Sequence, residues 1–217
     1  MKFIIAFVRK MMTHLAEFLN YWTRGKLKPA HVTVISLLGH VPVAWALVTS
    51  RPILAAVLLA FFSLMDALDG ALARAQNSSS LSGMYFDAVS DRLKEVIVLS
   101  ALAVFASKHI DTVITWQIVA VMGTSLLVSY TKAKGEMALA GEKIDAQKLN
   151  RIFGGGLASY EIRVVALVVG LLFGWIAYVL PLLLAANSIT IATRFLKVAK
   201  ELHGLDQRNS KKRDIKV

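Results

Sequence analysis

An all-α, polytopic membrane protein is the fold class this sequence predicts: six transmembrane helices behind an N-terminal amphipathic helix lying in the membrane interface. Three observations lead there. The 217 residues are 56% hydrophobic with a mean hydropathy of +0.59, well above a soluble domain. The apolar residues gather in six runs, each near the roughly 20 residues that a bilayer requires. The basic residues behind the formal net charge of +11 lie outside those runs. Lys2, Arg9, Lys10, Arg24, Lys26 and Lys28 precede the first, and Lys197, Lys200, Arg208, Lys211, Lys212, Arg213 and Lys216 follow the last. Such flanks suit the cytoplasmic face of an anionic bilayer. A nucleic-acid partner would want a basic patch with stacking aromatics on a soluble surface, and this distribution argues against one.

The chain reads as a single domain over residues 1–217. Residues 1–28 alternate apolar and basic positions and end at Arg24-Gly-Lys-Leu-Lys-Pro29. They are too polar to span, and Arg9, Lys10 and His14 interrupt any signal-peptide core, so a juxtamembrane amphipathic helix is expected. The six spans are expected at about Val32 to Thr49, Ile53 to Ala75, Leu81 to Ala106, Val113 to Lys132, Ile162 to Val179 and Leu180 to Val198. The last boundary falls between Gly174-Trp175 and Pro181, and Pro181 favours a helix start. Residues 204–217 read as a flexible basic tail. The connections near Arg51, Lys108 and Trp175 carry little positive charge, whereas the termini and the loop from Lys132 to Tyr160 carry most of it. Both termini and the catalytic loops are therefore expected in the cytoplasm, at the plasma membrane, with an even number of spans. The short polar turn Gln76-Asn-Ser-Ser-Ser80 joins the second and third spans on that side.

Those two spans carry four carboxylates in otherwise apolar sequence: Asp66, Asp69, Asp87 and Asp91. An ionised Asp costs several kcal/mol in hydrocarbon, so intramembrane acids face a wet cavity, a cation or each other. At about 100° per residue, Asp66 and Asp69 share one helix face, as do Asp87 and Asp91. Four converging acids repel one another unless a counter-charge is supplied, and one or two divalent cations resolve this most simply. The chain has no cysteine, which leaves no thiolate site and favours oxygen-loving Mg²⁺, or Mn²⁺. Gly70 and Gly83 stand beside the acids although each weakens a helix by about 1 kcal/mol relative to Ala. Bare backbone there admits a ligand or a neighbouring helix.

Written out, the segment is D-x2-D-G-x2-A-R-x8-G-x3-D-x3-D, eight fixed residues over 26 positions. It resembles, without exception, the signature of the CDP-alcohol phosphotransferases, membrane enzymes of phospholipid biosynthesis that are commonly homodimers. The resemblance implies Mg²⁺-dependent transfer from a CDP-lipid, with Asp66, Asp69 and Asp87 as metal ligands. It makes Asp91 the general base, with metal ligation alongside. Arg74, Gly70, Ala73 and Gly83 then belong to the CDP-lipid site together with Asp69. Pro29-Ala30-His31-Val32-Thr33 is similar to the family's P-x-x-x-T segment, which approaches the cytidine diphosphate, and Ser80 matches a polar loop position.

For the acceptor, Ser129-Tyr130-Thr-Lys132-Ala-Lys134-Gly-Glu136 is similar to the S-Y-x-[KR]-A-[KR]-x-E segment of the inositol-phosphate branch, the phosphatidylinositol phosphate and archaetidylinositol phosphate synthases. Gly156-Leu-Ala-Ser-Tyr-Glu-Ile-Arg163 resembles that branch's G-x-A-E-R-x-E-R, with Ser159, Tyr160 and Ile162 departing from it, and Arg194 falls near an arginine ending the last span. By this resemblance Lys132, Arg163 and Arg194 hold the phosphate of a phosphorylated polyol. A phosphomonoester dianion needs such cations, whereas a neutral polyol needs hydrogen-bond partners. Three alternatives stand beside this reading. A phosphatidylglycerophosphate synthase would typically carry G-K-x-K-T-x-x-Q here, which is missing. A cation transporter would explain the acids but not Arg74, the glycines or the spacing, and a structural membrane subunit would need none of them.

Overall fold

The computed structural model describes residues 2–140, 152–153 and 159–214. Among the described residues it is helical without strands: α1 Lys2–Thr23, α2 Pro29–Val48, α3 Pro52–Ala75, α4 Leu81–His109, α5 Thr112–Leu139, α6 Tyr160–Phe173 and α7 Ile176–Asp214. Gly156 to Ala158 of the acceptor-like segment, residues 141–151 and Lys216 lie outside the described residues.

Local chemistry sets the boundaries. Pro29 and Pro52 begin α2 and α3, where a missing N–H and a fixed φ cost nothing. Asn77, at φ 50°, turns the chain out of α3, and the Ser80 hydroxyl accepts the Gly83 N–H at 3.1 Å to cap α4. Asp111 caps α5 through the Val113 N–H. Gly174, at φ 70°, closes α6 while the Trp175 N–H bonds the Gly170 carbonyl at 2.8 Å.

That closure corrects two expectations. The expected fifth span, α6, ends at Phe173, not Val179, because a Gly-Trp corner is invisible to hydropathy when the apolar run continues through it. Pro181 consequently lies inside α7 rather than at its start. α7 also runs on to Asp214, so residues 204–214, expected to be a flexible tail, continue the helix.

Among the described residues, four helices are long and apolar enough to cross a membrane: α2, α3, α5 and α7 over Ile176–Gln207. α4, at 29 residues, has the length, but it carries Asp87, Asp91, Arg92, Lys94 and Glu95. α6 has 14 residues, about 21 Å at 1.5 Å per residue, less than the bilayer core.

α2 packs against α3 and α4, α5 against α4 and α7, α6 against α3 and α7, and α1 against α3. One apolar cluster joins α2 to α7, including Leu47, Leu59, Leu102, Val121, Leu171 and Leu180. Gly39 sets the closest approach: a Cβ there would collide with the Phe62 ring, so this glycine lets α2 lie against α3. Beneath, Met12 and Ala16 of α1 meet Val32, Leu68 and Leu72. The outer surface keeps Leu38, Trp45, Phe61, Trp116 and Leu182 more than half exposed, an apolar mantle that suits lipid.

Candidate active site

The α2–α3–α4 packing brings the acids together at the ends of α3 and α4 that meet at the Gln76–Ser80 turn. Each α3 acid is oriented by a hydroxyl from α2. Thr33 Oγ1 donates to Asp69 Oδ2 at 2.6 Å, and Ser36 Oγ lies 2.7 Å from Asp66 Oδ1 and 2.9 Å from the Phe62 carbonyl. Thr33 and Ser36 are one turn apart on α2, as Asp69 and Asp66 are on α3, so the two helices match rung for rung. Asp69 itself is buried. Asp87 lies within electrostatic range of Asp66, Asp69 and Asp91.

A lysine stands among the acids. Lys94 has a side chain with no solvent exposure, and its Nζ donates to Asp66 Oδ1 at 2.5 Å and to Asp91 Oδ1 at 3.1 Å. It lies three residues beyond Asp91 and seven beyond Asp87 on one face of α4. Among the described residues no three His, Cys, Asp or Glu side chains are drawn together as a ready-made metal cage. The donor set nevertheless fits a hard divalent ion. It consists of carboxylate oxygens, those of Asp66 and Asp69 held by hydroxyls, and a cation already bridges Asp66 and Asp91.

A second buried charge centre braces the first. Glu95 accepts Arg163 Nε at 2.6 Å and Nη2 at 3.1 Å, Arg92 Nη1 at 2.7 Å, and the Ser125 hydroxyl. It thereby ties α4 to α5 and α6. Removing one member of a buried pair costs about 3–5 kcal/mol, because the partner's charge stays buried. Glu95→Ala is expected to lose stability on that scale in thermal unfolding in detergent. An unchanged melting temperature would refute the bracing role.

Of the expected acceptor residues, Arg163 is buried and engaged by Glu95, not displayed on an open surface. Arg194 donates to the Val128 carbonyl at 2.7 Å and the Phe153 carbonyl at 3.2 Å, and lies within electrostatic range of Arg163 and Glu136. Lys132 is exposed, 3.8 Å from Glu136. The three thus fall in one neighbourhood with different accessibility. Tyr160, where the resembling segment has arginine, points its hydroxyl at Asp66 Oδ2, 3.4 Å away, with the Arg92 guanidinium 5.5 Å from its ring centre.

Around the acids, Arg74 is exposed, Ala73 is half-buried, and a Cβ on Gly70 would meet only Arg74 Nη1, at 3.6 Å. Gly70 therefore serves no close helix contact among the described residues, and its open side faces outward. Of the α2 residues, Ala30 and His31 are exposed, and His31 Nδ1 accepts the Lys28 N–H at 3.4 Å, while Val32 and Thr33 are buried.

A helical membrane-type fold with an acid quartet at one helix-pair junction marks a membrane protein with a candidate site for a hard cation. The family is then fixed by comparison: residues 26–199 match the model of CDP-alcohol phosphatidyltransferase, and the chain belongs to that family. It is 26% identical over 178 residues to the archaetidylinositol phosphate synthase of Pyrococcus horikoshii, covering 81% of this chain and 86% of that protein. It is 32% identical over 148 residues to a bifunctional IPC transferase and DIPP synthase of Rubrobacter xylanophilus, covering 68% of this chain but only 32% of that longer protein. Its fold is similar to the crystal structure of Mycobacterium tuberculosis phosphatidylinositol phosphate synthase with CDP-DAG bound, at TM-score 0.72 and 25% identity over 87% of this chain and 94% of that one. The same Mycobacterium tuberculosis protein in complex with manganese and citrate matches at TM-score 0.71, with 25% identity over 86% of this chain and 88% of that one. That relative thus binds a divalent metal.

Proposed function

We propose that this chain transfers the phosphatidyl-type group of a CDP-lipid, CDP-diacylglycerol or CDP-archaeol, to a hydroxyl of inositol phosphate and releases CMP. The supporting observation is the intact eight-residue signature at the α3–α4 junction, in a chain whose fold follows the synthase that binds CDP-DAG. The acceptor oxygen forms a bond to the lipid-side phosphorus, the bond from that phosphorus to the bridging oxygen breaks, and the hydroxyl proton passes to Asp91. Asp66, Asp69 and Asp87 hold one or two Mg²⁺ or Mn²⁺ ions, with Asp91 alongside. The metal, when bound, spreads the charge of the diphosphate and activates the leaving nucleotide.

The open backbone at Gly70, with Ala73, Arg74, Ser80 and Gly83 on one side and Ala30, His31, Val32 and Thr33 on the other, frames the CDP group. Arg74, exposed beside Gly70, pairs with a phosphate. Lys132 and Arg194 receive the acceptor's phosphate, and Arg163, fixed by Glu95, supplies positive potential behind them.

In the membrane, α4 joins the four apolar helices as a fifth span with its charges turned inward, and α6 completes six as a short span that the bilayer meets by local thinning. α1 lies along the surface, both termini and the site face the cytoplasm at the plasma membrane, and the assembly is a homodimer. Glu95 with Arg92 and Arg163, and Lys94 with Asp66 and Asp91, support burying α4, since paired charges are the form tolerated within a bilayer.

The test is CMP release from radiolabelled CDP-lipid in detergent, screened against inositol phosphate, glycerol phosphate, serine and free inositol. Preference for inositol phosphate is expected, and preference for glycerol phosphate would replace the acceptor assignment by phosphatidylglycerophosphate synthesis. Neutralising Lys132 or Arg194 removes a charge-assisted contact of roughly 1.5–3 kcal/mol, a rise of about 10- to 100-fold in acceptor KM with little change in CDP-lipid KM. Equal KM values for both substrates in Lys132→Gln and wild type would remove Lys132 from the acceptor site.

A further inference from the structure

Lys94 poses a question that the metal reading leaves open. A lysine wholly removed from solvent in a membrane helix is costly, and this one sits on carboxylates that the reaction reserves for a divalent ion. An ion bound through Asp66 either displaces the ammonium from Oδ1 or binds Oδ2 beside it, and a unit positive charge at contact distance opposes both.

The structure also supplies a second place for the ammonium. His40 of α2 lies directly behind the acids, and its Nδ1 is 2.8 Å from the Ser36 carbonyl. A carbonyl only accepts, so Nδ1 carries the proton and Nε2 of the neutral ring is an acceptor. That Nε2 is buried without a hydrogen-bond partner. An orphaned buried acceptor is costly and calls for an explanation. His40 and Lys94 line one small cavity, about 10 Å³, with Glu95, Tyr160 and Arg163 in its wall. Its volume approaches that of one water-sized group. A buried cation, an unpaired acceptor and a void thus adjoin.

We propose that Lys94 is a displaceable internal counter-ion. It neutralises Asp66 and Asp91 while no divalent cation is bound, and swings its ammonium toward His40 Nε2 when an ion claims Asp66. The groups facing it are Asp66 from α3, Asp91 and Glu95 from α4, His40 from α2, and Tyr160 and Arg163 from α6. Glu95 is already committed to Arg92 and Arg163, which leaves His40 Nε2 as the acceptor in waiting. Such a device keeps the acids from repelling one another in the metal-free protein and sets a threshold ion concentration for loading. It rests on the acid quartet being the metal site.

The experiment measures Mn²⁺ affinity of the full-length protein in detergent by electron paramagnetic resonance of free Mn²⁺, with thermal unfolding with and without Mn²⁺. Lys94→Met is expected to bind Mn²⁺ about 10-fold or more tightly, since no ammonium has to be displaced. It should melt below wild type without metal and recover with it. His40→Leu removes the second acceptor and fills the void, so Mn²⁺ binding should weaken. In the Lys94→Met background that same substitution should change Mn²⁺ affinity little, because the group it accommodates is gone.

Unchanged or weaker Mn²⁺ binding in Lys94→Met, or a His40→Leu effect persisting in the double variant, overturns the proposal. Lys94→Gln serves if Lys94→Met does not fold. Failure of both to fold at saturating Mn²⁺ also overturns it, because the ion would then be unable to replace the ammonium. A wild type that binds no Mn²⁺ would instead defeat the metal-site reading itself.

Discussion

Asp66→Asn, Asp69→Asn and Asp87→Asn are each expected to abolish CMP release while leaving the protein inserted and folded. The substitution keeps size and hydrogen-bonding shape but removes the negative charge that a hard cation requires. Folding should survive in the variants because the helices are held elsewhere, by the apolar cluster from Leu47 to Leu180 and by the Glu95 node. An amide at position 69 can still accept from the Thr33 hydroxyl, so that contact between α2 and α3 is kept. Asp66→Asn weakens the pairing with Lys94, so this variant should show the largest loss of thermal stability of the three. Near-normal turnover from any of them at saturating Mg²⁺ would remove that residue from the ligand set. The same three proteins, still folded and titrated with Mn²⁺, separate lost metal binding from lost chemistry.

The acids were legible in the sequence because charge in apolar helices is costly and their spacing put them on matching faces. The helix beginnings were legible as well, since Pro29, Pro52 and Ser80 mark them chemically. The Gly174-Trp175 corner was harder, because its signal is a backbone conformation rather than a change in polarity.

Lys94, Glu95 and Tyr160 were missed as site components for a different reason. Each acts through a tertiary partner: Lys94 through Asp66 on α3, Glu95 through Arg163 on α6, and Tyr160 across to Asp66 from 94 residues further along the chain. A signal for Lys94 was present, a lysine three residues beyond Asp91 on the acid face, but its sign only makes sense once α3 is placed opposite. Arg163, expected at the acceptor's phosphate, is also held by Glu95, a partner that only tertiary packing supplies. From sequence, a basic residue near a helix start looks free, and only packing reveals the carboxylate that holds it.

Asp91→Asn is expected to separate catalysis from binding. Asp91 lies one turn beyond Asp87 on α4, and its Oδ1 is 3.1 Å from Lys94 Nζ. If it takes the proton of the attacking hydroxyl while Asp66, Asp69 and Asp87 hold the metal, removing it should lower kcat by about 10²- to 10⁴-fold. CDP-lipid affinity should change far less, because a base acts in the transition state and contributes little to ground-state binding. Lys94 keeps Asp66 as its partner in this variant, so the fold and the α3–α4 contact should persist. Calorimetry with CDP and Mg²⁺ is the deciding measurement. Retained CDP binding with suppressed kcat identifies Asp91 as the base. A loss of CDP binding as complete as in Asp66→Asn would make Asp91 chiefly a metal ligand, and the proton would then need another acceptor.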